Sequence, residues 1–209
     1  MMTLKIGIDS ISFYSSHYYL DLAELAQARG VDIDKFHVGL GQLKMAVPGP
    51  DEDIITLAAN AAYQALEDVN RDEIDHVLFA TESGLDQSKS AATYIQKLLQ
   101  LPKQCRLLEL KQACYSGTAA IQIAVALIAQ NPKSKILVVA SDISRYGLGT
   151  SGESSQGCGA VAMVLSVNPR ILAIEPGAGF YADEVMDFWR QNYLEEALVD
   201  GRYSSVIYL

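Results

Sequence analysis

Uninterrupted apolar runs in this 209-residue chain are short, and none reaches the roughly 18 residues that a bilayer-spanning helix requires. On that reading no membrane is expected as a partner. A leader with a basic start and an apolar middle is also missing, because residues 1–10 already read as a strand. Low-complexity segments are absent and prolines number only 6, which argues against disorder. Basic residues are outnumbered 16 to 25, for a net charge of -9, so neither nucleic acid nor an anionic membrane surface is an expected partner. An anionic cofactor can still be held by a local basic cluster. Only 3 cysteines occur, at 105, 114 and 158, too few to pair completely within the chain. A reducing cytoplasm is the expected compartment, with the thiols free for chemistry or simply buried. The 3 histidines, His17, His37 and His76, lack metal-site spacing and have no cysteine near them, so no metal is expected.

What is present is a series of short apolar, β-branched runs at 5–13, 76–81, 106–110, 135–141, 159–167 and 171–175. Continuous rather than alternating, they predict strands covered on both faces. Between them lie helical patterns. Residues 51–69 open on acidic side chains that suit a helix N-terminus and continue as an alanine-rich amphipathic stretch. A second pattern covers 88–99, with Pro102 beyond its stop. A third, 115–130, is apolar almost all round and is predicted to be interior. With a helical insertion after the first strand and a closing two-strand hairpin, the order predicts one α/β layered domain over 1–209. The tail from 181 is less regular and stops on an apolar run, from which a continuing natural polypeptide is expected.

Three segments can carry chemistry. In Leu110-Lys111-Gln112-Ala113-Cys114-Tyr115-Ser116-Gly117-Thr118, a buried strand ends and a buried helix begins directly after Cys114. The positive end of a helix dipole and its free amides favour thiolate, so a lowered pKa is expected, and the same amides can hold a developing oxyanion. The alternative is a small cysteine that only packs. In Thr81-Glu82-Ser83-Gly84-Leu85-Asp86, Glu82 follows a strand at the sheet end where open α/β folds place their sites. There a partly desolvated carboxyl, with its pKa raised, can serve as a general acid or base. The alternative is capping of the helix near 88, which is the expected role of Asp86. The loop at 151–160, Ser-Gly-Glu-Ser-Ser-Gln-Gly-Cys-Gly-Ala, can cradle a substrate, or its glycines can meet backbone demands; it lacks a P-loop ending. No histidine is an evident partner for Cys114.

Taken together, these motifs resemble the 3-hydroxy-3-methylglutaryl-CoA (HMG-CoA) synthases, a branch of the thiolase superfamily. The likeness runs from Ile6-Gly7-Ile8-Asp9 through Lys35-Phe36-His37-Val38-Gly39, Thr81-Glu82-Ser83, Ala113-Cys114-Tyr115-Ser116-Gly117 and Ser141-Asp142-Ile143. It continues to Gly157-Cys158-Gly159-Ala160, Asp187-Phe188-Trp189-Arg190 and Val199-Asp200-Gly201-Arg202-Tyr203-Ser204. The resemblance implies a thiolase-like layered fold and, in this chain, its first βαβαβαββ half. It implies Cys114 as acetyl carrier and Glu82 as the group that removes a methyl proton, before attack on acetoacetyl-CoA and hydrolysis to HMG-CoA. Asp32, Tyr146, Ser155 and Ser204 would line the substrate channel. Acetyl-CoA and acetoacetyl-CoA would be substrates, with no further cofactor, and pathway membership would be mevalonate and isoprenoid synthesis.

The family's third catalytic residue, a histidine of the C-terminal half, lies beyond this sequence. A homodimer, or a second chain supplying that half, is therefore an expected partner, and a non-catalytic half-protein is the competing reading. The sequence also resembles relatives that perform β-branching on carrier-protein-bound polyketides, notably at Gly152-Glu153-Ser154-Ser155-Gln156 and Glu175-Pro176-Gly177-Ala178-Gly179. Acyl-carrier protein is thus the alternative to CoA as donor. A decarboxylating ketoacyl synthase is disfavoured, because those enzymes set histidines rather than a glutamate beside the nucleophile.

Overall fold

A computed structural model describes residues 4–201. Its centre is a six-stranded mixed sheet built from β1 (Ile6–Tyr14), β4 (Ile74–Ala80), β5 (Arg106–Leu110), β6 (Lys135–Ser144), β7 (Gly157–Val167) and β8 (Leu172–Ala173). Their spatial order is β5-β4-β6-β7-β1-β8. Strands β5, β4 and β6 are parallel, whereas β7 runs antiparallel to both β6 and β1. The parallel strands therefore deliver their carboxyl ends to one edge of the sheet, and that edge assembles the site.

Alternation along the strands divides two cores. Val77 and Phe79 of β4, with Leu137 and Val139 of β6, face helices α3 (Ile54–Ala65) and α4 (Ala92–Leu98). Leu78, Ile136 and Val138 face the opposite way, toward α5 (Ser116–Gln130). The expected βαβαβαββ succession is present as β1-α3-β4-α4-β5-α5-β6-β7. The predicted insertion after β1 contains a two-stranded ribbon, β2 (Tyr18–Asp21) and β3 (Lys44–Val47), with helices α1 (Leu22–Arg29) and α2 (Asp34–His37). Its small core of Leu22, Leu25, Ala26, Phe36 and Met45 is separate from the other two.

Several expectations need correction. The hairpin of the last two strands does not form, because β1 lies between β7 and β8 and pairs with both. Helix α3 has no acidic residue in its first turn; Asp53 caps it instead, accepting from the amides of Ile55 and Thr56 while Thr56 Oγ1 accepts from the Asp53 amide. Asp86 accepts from the amides of Ser88 and Lys89 at 2.7 Å each, but α4 begins later, so Asp86 closes the preceding turn rather than the helix. The start of α4 is served by Glu109, which accepts from the Ala91 amide at 2.6 Å.

Helix α5 was predicted to be fully interior, yet only Ser116, Ala120, Ala124 and Ile128 are buried, all on the face toward the sheet. The segment Ala113–Gln130 also spans 18 residues and is, by length and composition, apolar enough to cross a membrane, contrary to expectation. In this fold it docks on β4 and β6. Strands β9 (Phe188–Trp189) and β10 (Leu198–Val199) form a small antiparallel pair in the last described segment. That segment is tied back to the sheet by the Ala197 amide donating to the Arg145 carbonyl at 2.8 Å.

Candidate active site

Glu82 stands two residues beyond β4, in a turn shaped by one neighbouring carboxylate. Asp142, near the end of β6, presents Oδ1 to Thr81 Oγ1 (2.9 Å), the Glu82 amide (2.7 Å), the Ser83 amide (3.0 Å) and Ser83 Oγ (2.7 Å). Ser83 Oγ in turn accepts from the Ile143 amide at 3.1 Å. Four donors on one oxygen fix the chain direction at Glu82, and they do so across the parallel β4–β6 pair. Asp142 is a site residue that sequence reasoning passed over. Its signal was a carboxylate next to a strand's carboxyl end, the same signal that singled out Glu82.

Cys114 emerges from the turn after β5. Ala113 has φ of +42°, a left-handed value uncommon for a residue with a Cβ, and such strain gathers at functional turns. The turn is closed by the Tyr115 amide on the Gln112 carbonyl (3.0 Å), the Ser116 amide on the Ala113 carbonyl (3.2 Å) and the Gln112 amide on Ser116 Oγ (2.5 Å). Two amides that were candidates for oxyanion binding are thus committed to the turn. Helix α5 begins at Ser116, so Cys114 does precede its positive end.

The thiol is nevertheless not tuned as predicted. Although the residue is exposed overall, its pKa is raised above the ordinary value, first by loss of solvent around the sulfur, then by the Glu82 carboxylate, whose charge repels a thiolate. Asp142 adds to the repulsion, and the cysteine's own amide opposes it. Here the neighbouring carboxylates outweigh the helix end. The resting pair is a thiol facing a carboxylate, not a stored thiolate.

Tyr146, just past β6, completes this group. Its phenol is pushed up by burial and by the charges of Glu82 and Cys114, with Arg190 opposing. Arg190, part of the Asp187-Phe188-Trp189-Arg190 motif, has its guanidinium 3.8 Å from Glu82 Oε2 and its side chain 19% exposed. A cation in this apolar Phe-Trp-Arg context was the available signal. Glu82 thus acts by charge on both Cys114 and Tyr146, and these three expected site residues share one end of the sheet. Among the described residues, Asp32 and Ser155 hydrogen-bond to none of the three. Asp32 is exposed and accepts from the Asp34 amide at 3.0 Å, and Ser155 Oγ donates to the Gly152 carbonyl at 2.8 Å. Ser204 lies outside the described residues.

A cleft of about 850 Å³ opens beside Glu82, lined by Thr81, Glu82, Lys89, Glu109, Lys111 and Ala113 on one side and by 188–194 on the other. The loop at 151–160 folds around the buried Glu153, which takes a two-point contact from Arg29 of α1. Gly152 meets a demand for space there rather than one of the backbone, since its φ of -82° suits any residue but an added Cβ would come to 3.0 Å from the Tyr146 ring. The other thiols are distant in kind: burial pushes Cys105 up to about 11 and also raises Cys158. Among the described residues no group of three or more His, Cys, Asp or Glu is arranged to hold a metal ion.

Comparison with known proteins bears on this arrangement. Residues 3–170 match the family model described as hydroxymethylglutaryl-coenzyme A synthase N terminal. A hydroxymethylglutaryl-CoA synthase of Enterococcus faecalis is 44% identical over 99% of this chain and 54% of its own length. The polyketide biosynthesis 3-hydroxy-3-methylglutaryl-ACP synthase PksG of Bacillus subtilis is 42% identical over 90% of this chain and 48% of its own. Among solved structures, an HMG-CoA synthase complexed with CoA superposes with a TM-score of 0.95 at 43% identity, covering 98% of this chain and 53% of that one. The curacin-pathway HMG synthase in complex with holo donor-ACP gives 0.92 at 41%, covering 98% and 51%. This chain spans about half the length of the relatives it matches. With the match over 168 residues and the thiolase-like fold in agreement, the chain belongs to the hydroxymethylglutaryl-CoA synthase family, in the N-terminal region of that family.

Proposed function

We propose that this chain is the nucleophile-bearing half of an HMG-CoA synthase-type acyltransferase, with Cys114 as acyl carrier and Glu82 as acid/base. The observation that carries this reading is that Cys114 and Glu82 come from the carboxyl ends of neighbouring parallel strands, near enough for the Glu82 charge to act on the thiol. Because the sulfur rests protonated, its activation needs a base in contact with it, and Glu82 is that base. The thiol proton passes to Glu82 as sulfur attacks the acetyl carbonyl, and Glu82 returns it to the departing thiolate of the donor. The carboxylate is then free to take a proton from the acetyl methyl group. The resulting carbanion equivalent attacks the ketone of the acetoacetyl thioester, and water cleaves the acyl–sulfur bond to release the product. Tyr146 and Arg190 stand beside this sequence of events, while Asp32, Ser155 and Ser204 are the further channel residues of the reading.

Glu82, which then holds the methyl proton, can return it to the new alkoxide, while the histidine that the resemblance assigns to the family's C-terminal half would bind and polarise the ketone. The reading therefore includes a partner: a second chain or a further segment supplying the remaining half, and pairing of nucleophile-bearing halves in a cytoplasmic dimer. The mevalonate route with acetoacetyl-CoA is the first assignment. A carrier-protein-bound β-ketoacyl chain is the second, supported by the 42% identity to the 3-hydroxy-3-methylglutaryl-ACP synthase PksG.

Incubation with isotope-labelled acetyl-CoA and peptide mass spectrometry is the test. A labelled acetyl group on Cys114, lost on Glu82→Ala, is the expected result. A folded chain that stays unlabelled with both CoA-linked and carrier-linked acetyl donors overturns the enzymatic reading in favour of a non-catalytic half. The relative rate with the two donors assigns the type.

A further inference from the structure

Arg29 closes α1, and its guanidinium reaches a residue 124 positions away. Nε lies 2.8 Å from Glu153 Oε2 and Nη2 lies 2.5 Å from Glu153 Oε1. The geometry is the two-point fork that makes arginine–carboxylate pairs directional. Glu153 is 7% exposed on its side chain, and the Gly149 amide adds a third donor at 3.0 Å. A carboxylate so buried is retained only with such partners.

From Glu153 the constraint runs on to the site. Gln156 Nε2 donates to the Glu153 carbonyl at 3.2 Å, and Gln156 Oε1 accepts from the Tyr146 amide at 3.0 Å. Gly152, the residue before Glu153, is packed so closely on the Tyr146 ring that an added Cβ would meet ring carbon at 3.0 Å. Tyr146 in turn lies near enough to Glu82 and Cys114 for their charges to act on its phenol. Each link as far as Tyr146 is a named contact, and the last step, from Tyr146 to the reacting groups, is one of charge.

We propose that Arg29 and Glu153 are positioning residues, a clasp between α1 and the β6–β7 loop that sets where the Tyr146 ring stands against Cys114 and Glu82. The assignment rests on the proposed function only in taking Cys114 as the nucleophile. It gives the insertion between β1 and α3 a purpose in the site. Asp32 lies just past Arg29 and Ser155 just past Glu153, so the clasp also joins the two loops that carry those expected channel residues.

The test uses the full chain and needs no acyl substrate. Iodoacetamide modification of Cys114 is followed by peptide mass spectrometry, with the Cys105 peptide as a buried control. Cys114 is exposed, so the rate reads the surroundings of the sulfur rather than access to it: Arg29→Met is expected to change the modification rate about threefold or more, and by less than about 1.5-fold when Tyr146→Ala is already present, as befits residues that act through one another. Gly152→Ala, whose added Cβ would press on the same ring, is expected to shift the rate as well. Arg29→Lys, which keeps the charge and loses the fork, is expected to fall between wild type and Arg29→Met. An unchanged rate in Arg29→Met, or an equal change with and without Tyr146, overturns the proposal. If thermal unfolding shows that Arg29→Met does not fold, Glu153→Gln takes its place under the same two criteria. Acetyl labelling of the wild type is scored separately, so an unlabelled Cys114 sinks the proposed function while the modification rates still decide the clasp.

Discussion

Cys114 shows how two local fields compete for one sulfur. The helix end and the residue's own amide favour thiolate, whereas burial, Glu82 and Asp142 favour thiol, and the second group wins. The sign follows directly. Modification of Cys114 by a neutral alkylating reagent should rise with pH through a midpoint above the ordinary thiol value of 9.0. Glu82→Gln removes the repelling charge, so its midpoint should lie lower than that of the wild type, and at pH 8 the variant thiol should be modified faster. A midpoint that stays put in Glu82→Gln would mean the carboxylate is not against the sulfur. Asp142 makes a different kind of residue-scale prediction. Asp142→Ala strands four donors around one vacated oxygen, a loss of about 2–3 kcal/mol by the usual cost of unmaking hydrogen bonds to a charged group. Urea denaturation measures it. A loss under about half a kilocalorie, the range of ordinary surface changes, would show that the turn at Glu82 holds itself.

The loop between β6 and β7 is held by charge, and its pH response can be worked out. Arg29, then the Gly149 amide, keep the Glu153 carboxyl below its ordinary value of 4.5, against the contribution of burial. A carboxyl lowered in the folded state stabilises it fully above the unfolded value and loses that contribution as pH falls through the folded value. The stability difference between wild type and Glu153→Gln should therefore be constant at neutral pH and shrink below pH 4.5. A difference that persists unchanged in strong acid would assign Glu153's role to shape rather than charge. The same loop shows where sequence reading stops. Strands β4, β5 and β6 were legible because runs of Val, Ile and Leu have one low-energy home, a sheet covered twice. Glu82 was legible because a strand end is visible in one dimension. The Arg29–Glu153 pair was not, because 124 residues of chain separate partners whose meeting depends on the whole insertion docking correctly. The direction of the Cys114 shift was lost for a related reason: the helix end is adjacent in sequence, and the opposing carboxylates come from other strands.

At the scale of the molecule, the sheet is protected unequally. On one face α3 is sealed, with Leu57, Ala58, Ala61 and Ala62 fully buried. On the other, α5 lies alone, and its outward side carries Thr118, Ala126 and Ala129 as exposed positions flanked by half-buried Ile121, Ile123, Val125 and Leu127. Small residues between apolar flanks let another layer approach closely, and a helix this apolar seldom faces water by itself. Under the proposed function this surface meets the remaining half. Ala126 touches nothing in the buried core, so Ala126→Arg should leave urea stability within about 0.5 kcal/mol. The same substitution places a long charged side chain in the middle of the outward face. Sedimentation velocity of the wild type, alone and mixed with a polypeptide covering the remaining length of the relatives, should show association that Ala126→Arg weakens. Equal sedimentation of the two proteins under both conditions would remove α5 from the interface. The complementary substitution, Leu57→Ala on the sealed face, should cost about 2–5 kcal/mol while leaving association per folded molecule unchanged, which separates a helix that holds the sheet together from one that holds two halves together.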